Sequence, residues 1–194
     1  MKVRSKISGL ISVAVLMVIG MASSGMAQDN MGMSSSKMTT AAMDKKFMMM
    51  AAMGGMAEVD MARLAMQKSS NDEVKQYAQK MIDDHTMAGD QLKELAAMKG
   101  VTLPMNADPK QMAMMAKMQK VSGMNFDMMY VKEAGVKAHQ DMEKLFMKES
   151  MNGKDMDARN WAAKTLPTVR MHLQMARDMM MKMKHMSGGM SGMR

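Results

Sequence analysis

Four ionisable side chains stand where apolar ones are expected. Glu58 interrupts the run "FMMMAAMGGMAEVDMARLAM", made mostly of methionine, alanine and glycine, and His85, His139 and His172 fall in three later segments of similar periodicity. A buried carboxylate without a partner is costly, so it shifts its pKa upward, finds hydrogen bonds or binds a metal. Convergence with imidazoles relieves that cost. The four residues are therefore a candidate internal site, either a single metal held by glutamate and histidine or a metal-free polar network that fixes helix register. A di-metal centre is not expected. Bundles that build one place Glu-x-x-His on two helices, whereas the residues three before His85, His139 and His172 are Ile82, Val136 and Val169. The adjacent Asp83 and Asp84 read as a helix surface and an outer partner of the site rather than an acid/base dyad.

Thioether sulfur offers a second chemistry, for the chain carries 39 methionines. Met61, Met81 and Met142 fall on apolar helical lines and read as leucine substitutes, a role suited to an unbranched, polarizable side chain. Met31, Met33, Met38, Met186, Met190 and Met193 stand instead in Gly/Ser-rich tracts with no core to fill. His185 adds a nitrogen donor beside them, and Met171, Met175, Met179 and Met183 recur at i, i+4. Such soft donors select Cu(I), and weakly hydrated Ag(I) behaves alike. Spacing is a weak signal in a chain this rich in methionine; placement in the tails is the stronger one. Exposed methionine also reacts reversibly with oxidants, which makes an oxidant sink the competing reading.

Composition excludes other classes. With no cysteine there is no disulfide, thiolate site or lipid anchor. Neither a G-x-S-x-G elbow nor a glycine-rich loop after a strand is present, so nucleophilic catalysis has no support. The formal charge of +8, which falls to +5 without the three basic residues of 1–27, points to anionic envelope surfaces, and aromatic residues at 3% are too few for base-stacking platforms, so no nucleic-acid partner is expected.

The elements that must position these residues are helices. Lys2, Arg4 and Lys6 precede an apolar run over residues 7–22, and Gly25-Met26-Ala27 supplies the small residues of a cleavage site, so residues 1–27 read as a signal peptide cut after Ala27. Residues 28–43 form a Met/Ser-rich linker, 44–184 the folded domain and 185–194 a Met/Gly-rich tail. Within the domain, a first helix is expected over 44–68. Ser70 and Glu73 make a capping box for a second, which stops near Gly100. Asp108 and Pro109 open a short helix. A third long helix covers 125–151 and a fourth 155–183, kinked or split at Pro167. Glu58, His85, His139 and His172 each lie on or beside the inner stripe of a different long helix. No segment alternates with period two, so no strand is expected.

The motifs "AAMGGMAEVDMARLA", "SNDEVKQYAQKMIDDHTMAGDQLKELAAMKGVTLP", "GMNFDMMYV" and "AAKTLPTVRMHL" together resemble those of the domain-of-unknown-function 4142 family, exported bacterial proteins with a ferritin-like helical bundle. The resemblance implies an all-α, ferritin-like four-helix bundle with one extra short helix and flexible Met-rich ends. It also implies that Glu58, Asp84, His85, Asp127, His139, Pro167 and His172 occupy the family's characteristic polar and turn positions. It supplies no activity. Methionine where relatives carry leucine or valine, as at Met61, suggests a specialised role. The expectation is a periplasmic or secreted protein that binds copper as Cu(I), or Ag(I), for sequestration or stress tolerance. The alternatives are a metal-free structural or oxidant-scavenging envelope protein and a mono-metal oxidoreductase.

Overall fold

The computed structural model describes residues 42–191, with side chains through residue 185. The expected signal peptide, most of the expected 28–43 linker, and Met31, Met33, Met38 and Met193 lie outside the described residues. Met186 and Met190 lie on the described backbone, but their side chains do not belong to the described part.

Helix α1 (Ala42–Lys68) and helix α2 (Asp72–Met98) pack along each other, joined by a tight turn. The N-cap of α2 is Asn71, not Ser70: its Oδ1 accepts from the amides of Glu73 and Val74 at 2.9 and 3.3 Å. Asn and Ser are near-equal caps, and Ser69 fixes the choice by accepting the Asn71 amide on its hydroxyl. The C-terminus of α2 closes as expected. Gly100 has φ +65°, its amide donates to the Ala97 carbonyl, and the Val101 amide reaches back to Ala96, a Schellman closure.

Helix α3 (Pro109–Gln119) opens with the full capping box of Asp108 and Gln111. Gly123, at φ +57°, then starts helix α4 (Gly123–Tyr130), which runs through a π-helical stretch (Val131–Ala138) into helix α5 (His139–Asn152). This continuous rod is the expected third long helix, but the π-helical stretch at its centre was not foreseen. Helix α6 (Met156–Ser191) starts on Asp155, whose Oδ1 accepts the amides of Asp157 and Ala158. It passes through Pro167 without splitting and continues beyond residue 184, where the sequence reading ended the bundle. Methionine and lysine are good helix formers, which favours that extension.

The four long rods enclose two apolar clusters. One gathers Met61, Ala65, Tyr77, Met81, Phe126, Tyr130 and Met183, among others. The other gathers Phe47, Met48, Leu92, Leu95, Phe146 and Leu166. Met61, Met81 and Met142 are buried as core fillers. On their helices His85, His139 and His172 lie between the segments that supply the two clusters, and Glu58 follows Ala57 at the edge of the first. Among the described residues there is no strand, and no helix is long and apolar enough to cross a membrane.

Candidate metal centre

Each long rod contributes one member of the site. Glu58 comes from α1, His85 from α2, His139 from the junction of the π-helical stretch with α5, and His172 from α6. Glu58, His139 and His172 are at most 2% exposed, and the His85 side chain is 9% exposed. The sequence reading of convergence is thus met by all four residues.

One ring nitrogen from each of His85, His139 and His172 lies within 4.8 Å of the others. The Nε2 atoms of His85 and His139 are 3.4 Å apart. Two imidazole nitrogens on one tetrahedral ion of Zn²⁺ size stand roughly 3.3 Å apart, given metal–nitrogen bonds of about 2.0–2.1 Å. The His85–His139 pair therefore has the spacing of two ligands on one ion, and His172 lies within 4.8 Å of both.

Outer partners determine which nitrogens are available. The Nδ1–H of His139 donates to the Ala134 carbonyl at 3.0 Å, leaving its Nε2 as the lone-pair nitrogen. The Nε2–H of His172 donates to Asp84 Oδ2 at 2.7 Å, and its Nδ1 is buried with no partner. His85 approaches Glu58 through Nδ1 at 3.1 Å, so its Nε2 is turned toward His139. Anchoring of the remote nitrogen by a carboxylate or carbonyl is the arrangement that orients metal-bound histidines.

Glu58 thus differs from the histidines in position. Its oxygens lie near the Nδ1 atoms of His85 and His139, at 3.1 and 3.5 Å, so it backs the cluster rather than belonging to the three-nitrogen group. Both contacts are close but poorly aligned, and neither oxygen has a proper hydrogen-bond donor. Desolvation by burial pushes its carboxyl up to about 8, which makes it mostly protonated at neutral pH. Burial also lowers His85 to about 3 and His139 to about 4, with repulsion from the neighbouring imidazoles adding to the effect. His172 is lowered by burial too, partly offset by Asp84. For Asp84, burial acts upward, but hydrogen bonds from Lys80 and His172 outweigh it and hold the carboxylate below its usual range. The centre consequently holds three neutral imidazoles, the form that binds metal.

Two cavities border the site. The first, about 710 Å³, reaches His85; the second, about 520 Å³, is bordered by Glu58 and by Met50, Met53, Met61, Met114 and Met142. Met142 borders both, its sulfur lying over Gly54, where an added Cβ would stand 2.9 Å from it.

The proposed thioether series is divided. Met171 is exposed, Met175 is partly buried, and Met179 and Met183 are packed in the apolar core. His185 is exposed. Asp84 has the outer-partner role its position suggested. The Ala134 carbonyl was missed, because backbone acceptors leave no mark in a sequence. Gly135 was the available clue: a Cβ there would stand 2.8 Å from that of Ala176, so α6 approaches the π-helical stretch closely enough to require glycine.

Two solved structures share the fold. A DUF305 fragment from Deinococcus radiodurans aligns with TM-score 0.66 at 10% identity, covering 74% of this chain and 98% of that one. A DUF305 protein from Streptomyces coelicolor, thought to be secreted, aligns with TM-score 0.62 at 13% identity, covering 73% and 92%. The likeness establishes an all-α, ferritin-like bundle. A search among curated proteins found no match. The family model for a domain of unknown function, DUF4142, matches residues 29–179, and the chain belongs to that family.

Proposed function

We propose that this protein is an exported metal-binding bundle whose His85, His139 and His172 hold one transition-metal ion, copper as Cu(I) first, for sequestration or stress tolerance. The observation that carries the reading is the pair of inward lone-pair nitrogens on His139 and His172, each fixed by a partner on its remote nitrogen. The His172 Nδ1 is buried without a partner, and the His139 Nε2 meets the His85 Nε2 at 3.4 Å, a contact that the N–H of a neutral His85 bridges without metal and that a cation would bridge in its place. Imidazole suits copper and zinc alike, and the many thioethers favour the softer ion. Export is supported by the N-terminal basic and apolar run and by the Streptomyces coelicolor structural neighbour.

Titration with Cu(I) against a competing chelator tests the proposal. The tightest site should be lost in His85→Ala, His139→Ala and His172→Ala alike, and kept when Met31, Met33, Met38, Met186, Met190 and Met193 are changed to leucine. Unchanged tight binding in all three histidine variants would refute it.

One observation favours a second reading, oxidant scavenging. Among the described residues every exposed large apolar side chain is a methionine, Met105 at 90% and Met98 at 73% being the most open. Thioethers so placed are open to oxidation to the sulfoxide. Leucine at these positions should then reduce hypochlorite consumption without changing copper uptake.

A further inference from the structure

The cavity that reaches His85 lies between α1, α2 and the connection over residues 103–107, with α3, α5 and α6 completing its walls, and its volume of about 710 Å³ is that of a small-molecule site. Two glycines inside these helices border it, Gly55 on α1 and Gly89 on α2. A mid-helix glycine is destabilising by roughly 0.5–1 kcal/mol relative to alanine. It is ordinarily justified by a close contact, as Gly135 is by Ala176. At Gly55 and Gly89 an added Cβ meets nothing within 4 Å, and neither has positive φ. Packing does not require either glycine; what both do is leave the cavity open.

The lining indicates what fills it. The walls include Phe146, Trp161, Leu103 and Val59, all apolar bodies. The charged residues bordering the cavity form two local pairs, Arg63 with Asp60 at 3.7 Å and Lys93 with Asp90 at 2.8 Å, so it presents no net charge. Polar chemistry is limited. Thr86, Asn106 and Thr165 add neutral groups, the Thr165 hydroxyl being spent on the Trp161 carbonyl, while His85 is the one member of the three-histidine group that borders the cavity and Trp161 carries a buried indole N–H without a partner.

We propose that this cavity binds an uncharged small molecule with an apolar, ring-sized body and one nitrogen or oxygen donor directed to the His85 end. There the donor completes the coordination of the metal held by the three histidines. The second statement rests on the metal-centre reading; the first does not.

Trp161 is the chain's single tryptophan, so its fluorescence reports the cavity directly. The probe is 4-phenylpyridine, added to the full chain in chelator-treated and Co(II)-loaded forms, with biphenyl as the isostere lacking a donor. Both compounds should quench Trp161 saturably in the metal-free protein. Gly55→Leu and Gly89→Leu, made separately, should each weaken that response at least tenfold while the circular dichroism and unfolding midpoint hold or rise. In the Co(II) form, 4-phenylpyridine but not biphenyl should shift the visible bands. Absence of a saturable response, or an equal response in both leucine variants, overturns the binding chamber. A Trp161 response with Co(II) bands that 4-phenylpyridine leaves unmoved overturns the link to the metal. Saturable quenching without any Co(II) bands keeps the chamber and removes the metal centre beneath it.

Discussion

The Nε2 of His172 on α6 and the Oδ2 of Asp84 on α2 lie 2.7 Å apart, and this contact decides which His172 nitrogen can serve a ligand. Lys80 holds the same Asp84 oxygen from the preceding turn at 2.9 Å. The carboxylate is thereby kept ionised as a strong acceptor, and the ring is held with Nδ1 free inside the bundle. Asp84 thus sets the orientation of the ring that the proposed metal would use.

Asp84→Asn should therefore weaken metal binding by roughly 10- to 100-fold, the usual consequence of losing such a partner. Competition titration would read the change. An affinity equal to that of the parent would mean that His172 is oriented by packing alone.

Gly135→Ala should destabilise the bundle by about 1–3 kcal/mol, because the new methyl meets Ala176 at 2.8 Å in a fully packed region. Adding Ala176→Gly should recover part of the loss. Urea unfolding of the two variants measures both effects, and a neutral single substitution would show that the π-helical stretch and α6 can move apart freely.

Asp44 should act as a clamp between the start of α1 and the turn into α6. Its carboxylate accepts the amides of Lys154 and Asp155 at 2.8 and 3.1 Å and is fully buried. Asp44→Ala leaves these donors unpaired and should cost about 1–3 kcal/mol. A shift in the urea midpoint too small to resolve would contradict that role.

Stability of the metal-free protein should peak near pH 6.5 within the range 5 to 9. His85 and His139 are depressed from 6.5 to about 3 and about 4, and His172 is lowered as well, so the contribution of these three is complete above 6.5 and is lost as pH falls below it, outweighing the two raised glutamates there. Glu58 is raised from 4.5 to about 8, so its contribution is complete below 4.5 and is lost as pH rises through 8. Glu149, raised to about 7 chiefly by burial and by its hydrogen bond with Asp44, acts in the same direction. Glu58→Gln should flatten the alkaline decline in part. Denaturation midpoints across this range that rise steadily toward pH 9 would rule the assignment out.

Much of this was legible in the chain. Gly100 and the Asp108–Pro109 pair marked helix ends because each has one strong local reason, a left-handed backbone or a cap followed by a preset φ. The inward positions of Glu58, His85, His139 and His172 followed from helical spacing, which depends on neighbours three and four residues away. Asn71 displaced Ser70 as a cap because adjacent polar residues compete almost equally. The π-helical stretch and the anchoring of His139 on Ala134 depend on backbone geometry that "VKEAGVKA" does not specify. The cavity at His85 was also unreadable, since it arises from the volumes of side chains on several elements at once. Gly55 and Gly89 were visible, but only the structure tells a glycine needed for close packing from one that leaves space.

The central claim is that three imidazoles share one ion, and X-ray absorption at the copper edge tests it most directly. The full-length mature protein, loaded with a single equivalent of Cu(I), should give a first shell dominated by nitrogen, with the multiple-scattering pattern of several imidazole rings. A first shell made mainly of sulfur would mean that the methionines capture the ion first, and would contradict the histidine centre.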